Sequence, residues 1–264
     1  MIAGLLSEGG PESSGPSTVT TVTTTRAPAT TQLATATSAA PSSTGWEIAD
    51  PGELTLVGTA TAIDGGVRLT TESRRLQAGA AWLPTKQPVA NGFTTTFAFQ
   101  LTDREVNPGD GFAFVIQNAG GSSLPPDGVA SGIGYKGLPN SVAVEFDTTY
   151  QDYENDPRGN HIAVHTRGTA VNTTHGRALV GWVSLPGMRW HDQVHTVRID
   201  YTPGTLTLFL NGGEAPILEV DLDLDRRLRL DDGAAWLGFT ASTEPGFTDV
   251  HDILGWSFEP AGEG

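Results

Sequence analysis

The chain has no cysteine in its 264 residues. Disulfides, zinc ribbons, iron–sulfur centres and thiol catalysis are therefore excluded. The compartment stays open, because secreted proteins can lack disulfides. Long apolar runs are also missing: none approaches the ~20 residues needed to cross a bilayer. Residues 1–6, MIAGLL, are too short for the core of a signal peptide, so an extracellular or cell-surface location would need a signal or anchor outside this chain. Basic residues are scarce. Lys and Arg number 15 against 30 Asp and Glu, a formal charge of −15. Nucleic acid is excluded as a partner, since phosphate contacts need Lys and Arg, and so is an anionic membrane surface. The balance suits neutral ligands, cations or both.

The first 45 residues hold 11 Thr, 7 Ser, 7 Ala, 5 Gly and 4 Pro. Such a segment buries too little apolar surface to offset its ordering entropy, so 1–45 is expected to be a disordered Ser/Thr/Pro/Ala-rich linker or stalk. From Trp46 to Gly264 the pattern changes to short apolar runs between Gly, Pro, Asn and Asp. Strands are expected at 93–101 (FTTTFAFQL), 112–117 (FAFVIQ), 141–146 (SVAVEF), 161–165 (HIAVH), 194–201 (VHTVRIDY), 205–210 (TLTLFL), 236–241 (WLGFTA) and 253–258 (ILGWSF). Pro203-Gly204 and Asn211-Gly212 predict tight turns on either side of TLTLFL. No amphipathic helix of ten or more residues stands out, and 218–230 reads equally as strand or helix. Many strands with turns and little helix predict an all-β sandwich or jelly roll.

Residues 132–137, GIGYKG, fit the dinucleotide pattern G-x-G-x-x-G. That reading needs a strand before and a helix after. Here SSLPPDGVAS precedes and LPNSVAVEF follows, so a glycine-rich loop is expected instead.

The chemistry concentrates in residues 141–168, SVAVEFDTTYQDYENDPRGNHIAVHTRG. Successive strand side chains point to opposite faces. Val142, Val144 and Phe146 therefore share the core face, and Glu145 and Asp147 share the other. Two carboxylates on one face repel and are costly to bury unpaired, so a cation is expected between them. Asp156 and His161 complete the ring of candidates, with loop oxygens from Thr149, Gln151 or Asp152. Hard oxygens suit calcium. Carboxylates with an imidazole suit manganese or another first-row divalent ion. The histidines at 165, 175, 191, 195 and 251 show no spacing to one another that suggests a site, so core or surface roles are expected for them.

VAVEFDT, then DP, then NHI resembles the metal-binding segment of the L-type lectins, meaning the legume lectins and their bacterial relatives. The segments GDGFAFVIQ, GIGYKGLPNS, AGAAWLP and GFTASTEPGFTDVHDILGWSF fit the same family in the same order, over about residues 46–260. The resemblance implies a concanavalin-like jelly-roll β-sandwich. It implies a manganese-type site at Glu145, Asp147, Asp156 and His161. It implies a calcium site at Asp147, the Thr149 carbonyl, Asp156 and either Gln151 or Asp152, where the family usually has Asn. It assigns sugar contact to Asp110, the Ser131–Gly132 amides, Gln151 and the loop holding Glu244, Gly246 and Phe247, with Tyr150, Tyr153 or Phe247 available to stack on a ring. The implied partners are glycans or glycoconjugates, with no membrane insertion, and a homo-oligomer is allowed because related lectins pair through an exposed back sheet.

The same sandwich hosts laminarinase-type glycoside hydrolases, which carry E-x-D-x-x-E with carboxyls about 5–5.5 Å apart for retention. Glu145 and Asp147 supply two members, but Thr148, Thr149 and Tyr150 follow and the third carboxylate is absent. A non-catalytic lectin is therefore favoured over a hydrolase. An adhesion or protein-interaction domain that keeps the metals without the sugar is the remaining alternative.

Overall fold

The computed structural model describes residues 53–102, 109–155, 157, 160–186, 190–246 and 248–261. The expected linker at 1–45 lies outside the described residues, as do Asp156 and Phe247. The strands, in chain order, are β1 (Thr55–Gly58), β2 (Thr61–Ile63), β3 (Gly66–Thr70), β4 (Ala78–Trp82), β5 (Gln87–Pro88), β6 (Phe93–Thr102), β7 (Gly111–Gln117) and β8 (Ser141–Asp147). They continue with β9 (His161–Thr166), β10 (Leu179–Ser184), β11 (Val194–Thr202), β12 (Gly204–Leu210), β13 (Leu218–Leu222), β14 (Ala234–Ser242) and β15 (Val250–Pro260).

They form two antiparallel sheets. The front sheet runs β1-β4-β14-β7-β8-β9-β10, with β5 on the far end of β14; the back sheet runs β13-β12-β11-β6-β15-β3-β2. This is the expected all-β sandwich. β6 shows why it forms: Phe93, Thr95, Phe97, Phe99 and Leu101 are buried and their neighbours half-buried, the period-two pattern of a strand with one face in the core. Between the sheets Phe97 meets Phe99, Phe112, Phe114, Phe146 and Phe239, with ring centroids 4.9–6.5 Å apart. Phe112 and Phe146 stack at 4.6 Å. Each such side chain contributes roughly 1.5–3 kcal/mol through burial.

β7, β8 and β9 are buried on both faces. Their outer face is covered by the 118–140 connection, whose Ile133, Tyr135 and Leu138 pack on Ala80, Trp82, Ala113, Val115 and Ala143. That second layer is why FAFVIQ and SVAVEF read as continuous apolar runs rather than alternating ones. GIGYKG lies in this cover as loop, with Ile133 and Gly134 at φ 47° and 75° and no helix after it.

The ambiguous stretch at 218–230 splits into β13 and a single helical turn, α1 (Leu224–Arg227), capped by the Asp223 side chain, which accepts from the Arg226 amide at 3.1 Å. The expected turns are present: Gly204 has φ 98°, and Asn211 and Gly212 have φ 51° and 70°.

Candidate functional site

Register places the chemistry at one end of the front sheet. Gly111 pairs with Asp147, Asp147 with His161, and Gly111 on its other side with Ser242. Asp110 precedes β7, the 148–155 loop leaves β8, His161 opens β9, and Glu244 and Gly246 follow β14. Four strand ends thus converge on one rim. The close approach of β7 to β8 depends on Gly111: its φ is 113°, and a Cβ there would fall 2.1 Å from the Phe146 carbonyl oxygen.

Glu145, Asp147 and His161 form a buried cluster. One ligand atom from each lies within 4.8 Å of the others, and the residues are 1%, 6% and 0% exposed. Glu145 Oε2 accepts the Tyr135 hydroxyl at 2.5 Å. Its Oε1 has no hydrogen-bond donor among the described residues and lies 3.2 Å from His165 Nε2 and 3.8 Å from His161 Nε2. Burial pushes the Glu145 carboxyl up, but the two imidazoles and the Tyr135 hydroxyl outweigh it and hold the group below its ordinary value. Asp147 Oδ1 accepts the Thr149 amide at 2.7 Å. Two carboxylates and an imidazole, converging in a dry place with an undonated oxygen, fit a first-row divalent ion.

Tyr135 and His165 are members of this cluster that sequence reasoning missed. His161 and His165 are four residues apart on one strand and so share a face. The spacing of His165 to His161 carried that signal, which its spacing to the later histidines does not; the core or surface role expected for His165 gives way to a place beside Glu145. Tyr135 left no such signal, because it arrives from the loop cover.

Asp110 is the other notable group. It is 2% exposed, and neither carboxylate oxygen has a hydrogen-bond partner among the described residues. Burial, then the Glu244 and Asp249 carboxylates, push it from 3.8 up to about 8. The Ser242 hydroxyl opposes this only weakly, because it donates to the Ala130 carbonyl. The same bond, with Thr240 Oγ1 donating to the Ile133 carbonyl at 2.7 Å, ties the Ser131–Gly132 turn to β14. Ser131 is half-buried and Gly132 buried.

The loop after β8 is strapped to the Asp110 turn. The Thr148 and Thr149 hydroxyls both donate to the Gly109 carbonyl, at 2.5 and 2.9 Å. Gln151 Nε2 donates to Glu244 Oε1 at 3.0 Å, which joins that loop to the one after β14. Arg75 holds the Gly246 carbonyl at 2.9 Å. Asp152 stands apart: it is exposed, and its Oδ1 accepts the Tyr150 hydroxyl at 2.5 Å. Tyr153 is 65% exposed.

The pattern described as "Legume lectin domain" matches residues 45–263. The chain belongs to the legume lectin family. A probable L-type lectin-domain containing receptor kinase S.7 from Arabidopsis thaliana is 33% identical over 190 residues, 64% of this chain and 26% of that protein. A galactose-binding lectin from Arachis hypogaea is 31% identical over 176 residues, 63% of this chain and 59% of that lectin. This legume lectin domain therefore spans about a quarter of the receptor kinase and under two thirds of the galactose-binding lectin. Among solved structures, a lectin from Bauhinia forficata in complex with GalNAc superposes with a TM-score of 0.60 at 25% identity, covering 80% of this chain and 94% of that one. The sequence relatives are plant proteins, and the bacterial part of the expected kinship has no support among them.

Proposed function

We propose that this chain is a non-catalytic carbohydrate-binding domain that depends on calcium and on manganese or another first-row divalent ion, and that acts outside the cell or at its surface. The observation that carries the reading is Asp110. A carboxylate 2% exposed with two undonated oxygens is costly unless a ligand supplies the donors. Adjacent sugar hydroxyls are such donors; cations bound at this rim would favour the ionised form of Asp110, and a charged acceptor strengthens both bonds. Galactose and GalNAc are the first sugars to try, since they are named for a lectin relative and a structural neighbour.

Glu145, Asp147 and His161 would hold the first-row ion, with Asp156 beside them by the family pattern. Asp147, the Thr149 carbonyl and Gln151 would face calcium. Gln151 is preferred to Asp152, whose carboxylate is turned to Tyr150 at the surface. The ions would supply positive charge that offsets the carboxylates and stiffens the 147–156 loop. The chain's own residues do the rest. The Thr148 and Thr149 hydroxyls grip the Gly109 carbonyl, which sets Asp110. The hydrolase reading is disfavoured by access: Glu145 is 1% exposed and enclosed by Tyr135 and His165, out of reach of a glycosidic bond. Among the described residues no helix is long and apolar enough to cross a membrane.

The test is calorimetric titration of the full chain with galactose and GalNAc, in calcium and manganese buffer and again in EDTA. Binding that disappears on chelation is expected, and undiminished binding in EDTA defeats the metal role. A blank glycan array for the metal-loaded protein would instead favour the interaction domain.

A further inference from the structure

A second polar cluster lies directly behind the Asp110 turn. Asp249, just before β15, is 1% exposed. Its Oδ2 accepts the Gly109 amide at 3.2 Å and lies 3.1 Å from His191 Nε2 and 3.6 Å from His251 Nε2. Its Oδ1 accepts the Val250 amide at 2.8 Å. Hydrogen positions follow from Thr70. That hydroxyl donates to the Asp249 carbonyl at 2.7 Å, which uses its one hydrogen. The contact of 2.6 Å between Thr70 Oγ1 and His251 Nδ1 must then be donated by the ring. Burial holds His251 below its ordinary value, so the ring is neutral and its Nε2 carries a lone pair. Nε2 has no hydrogen-bond partner among the described residues. Among the described residues Asp249 Oδ2 is therefore oriented by His191 and by the Gly109 amide.

The packing is equally tight. A Cβ on Gly109 would fall 2.6 Å from Asp249 Cβ, so only glycine lets the turn sit against this carboxylate. Gly109, the residue leading into Asp110, is thus gripped on both sides of its Cα: its amide by Asp249, its carbonyl by Thr148 and Thr149.

We infer that Asp249, steadied by His191, is the positioning residue that aims the Asp110 carboxylate at the bound sugar, acting through the Gly109 amide. The inference rests on the reading of Asp110 as the sugar acceptor. Packing alone does not require a carboxylate at 249, because burying one is costly and a smaller apolar residue would fill the place more cheaply.

The experiment compares wild type, Asp249→Ala, Asp249→Asn and His191→Ala, all as the full chain loaded with calcium and manganese. Hydrogen exchange of the peptide covering 109–112 is followed without sugar, beside a reference peptide covering 205–210, and galactose titration is run in parallel. Loss of one charge-assisted hydrogen bond predicts exchange at 109–112 at least about tenfold faster in Asp249→Ala, with the reference peptide unchanged. Asn keeps an acceptor for the Gly109 amide and should restore most of the protection. His191→Ala alters a partly exposed ring, keeps the fold, and should give a smaller increase confined to the same peptide. Galactose affinity should follow the same order. Wild-type exchange at 109–112 in both Asp249→Ala and His191→Ala overturns the inference, as does equal acceleration of both peptides. If metal-loaded wild type is blank with galactose, with GalNAc and on a glycan array, the sugar reading fails while the exchange result still decides the positioning role.

Discussion

Asp110→Asn is nearly isosteric and removes one buried ionisable group. In the metal-free protein the folded-state value of Asp110 is about 8, against 3.8 for the free group. A raised carboxyl means that the folded state binds the proton more tightly than the unfolded state. Between pH 4 and 8 the unfolded chain has released this proton and the folded chain has kept it. Stability therefore falls as pH rises, by up to about 1.4 kcal/mol per pH unit from this group, and levels off above about 8. Asparagine cannot lose a proton, so the variant lacks this component. At pH 4 the two proteins should melt alike. At pH 8 the variant should be more stable by at least about 2 kcal/mol, which is roughly 4–8 °C in Tm for a domain of this size. The assay is thermal unfolding in EDTA from pH 4 to 9, read as the difference between the two proteins so that other titrating groups cancel. The same variant should bind galactose poorly, because its amide nitrogen presents a donor where the sugar needs an acceptor. Parallel pH–stability curves would refute the claim that Asp110 is buried without compensation. Undiminished galactose affinity would refute its assignment as the acceptor.

Two further outcomes follow from contacts deeper in the sandwich. Tyr135→Phe removes the hydroxyl that donates to Glu145 Oε2 and leaves that oxygen undonated. Manganese affinity, measured by calorimetry, should fall about 10–100-fold, the usual effect of losing a group that orients a metal ligand; unchanged affinity would show that Glu145 is set by other contacts. Phe97→Ala opens a cavity beneath five aromatic neighbours and should cost about 3–5 kcal/mol in guanidinium unfolding, with a loss under about 1 kcal/mol contradicting the packing described.

The eight strands read from sequence were legible because their side chains must alternate or form short apolar runs. β10 and the early strands were not. β10 is half exposed at a sheet edge, so its burial imposes no strong pattern. β4 reads AGAAW, small residues chosen for close approach: a Cβ on Gly79 would lie 2.1 Å from the Leu69 carbonyl. Burial on both faces of β7 and β8 left its mark in their apolar runs, but the cover itself was hidden, because its residues come from a glycine-rich loop that carries no strand or helix pattern. At the site, Glu145 and Asp147 were legible as a pair because period two fixes their common face. Asp249 and His191 were not, because they belong to segments 58 residues apart that meet only when β15 and the end of β11's leading loop are folded against the same turn.

The way the rim is wired bears on how ion binding would reach the sugar. Asp147 holds the Thr149 amide, Thr149 holds the Gly109 carbonyl, and Gly109 adjoins Asp110. A shift at the Glu145–Asp147–His161 cluster is therefore passed to Asp110 through two hydrogen bonds and one peptide, with no domain movement needed. A second strap, Gln151 to Glu244, ties the same loop to the opposite wall. Glu244 is also one of the two charges that raise Asp110. Drawing Gln151 towards calcium would loosen its hold on Glu244. The loop after β14 would then be free to follow the sugar, while Asp110 stays clamped through Gly109. Such an arrangement separates a fixed acceptor from an adjustable rim. On the proposed reading, the grip on sugar hydroxyls would then sit on a strand end, and the choice among sugars on the loop after β14.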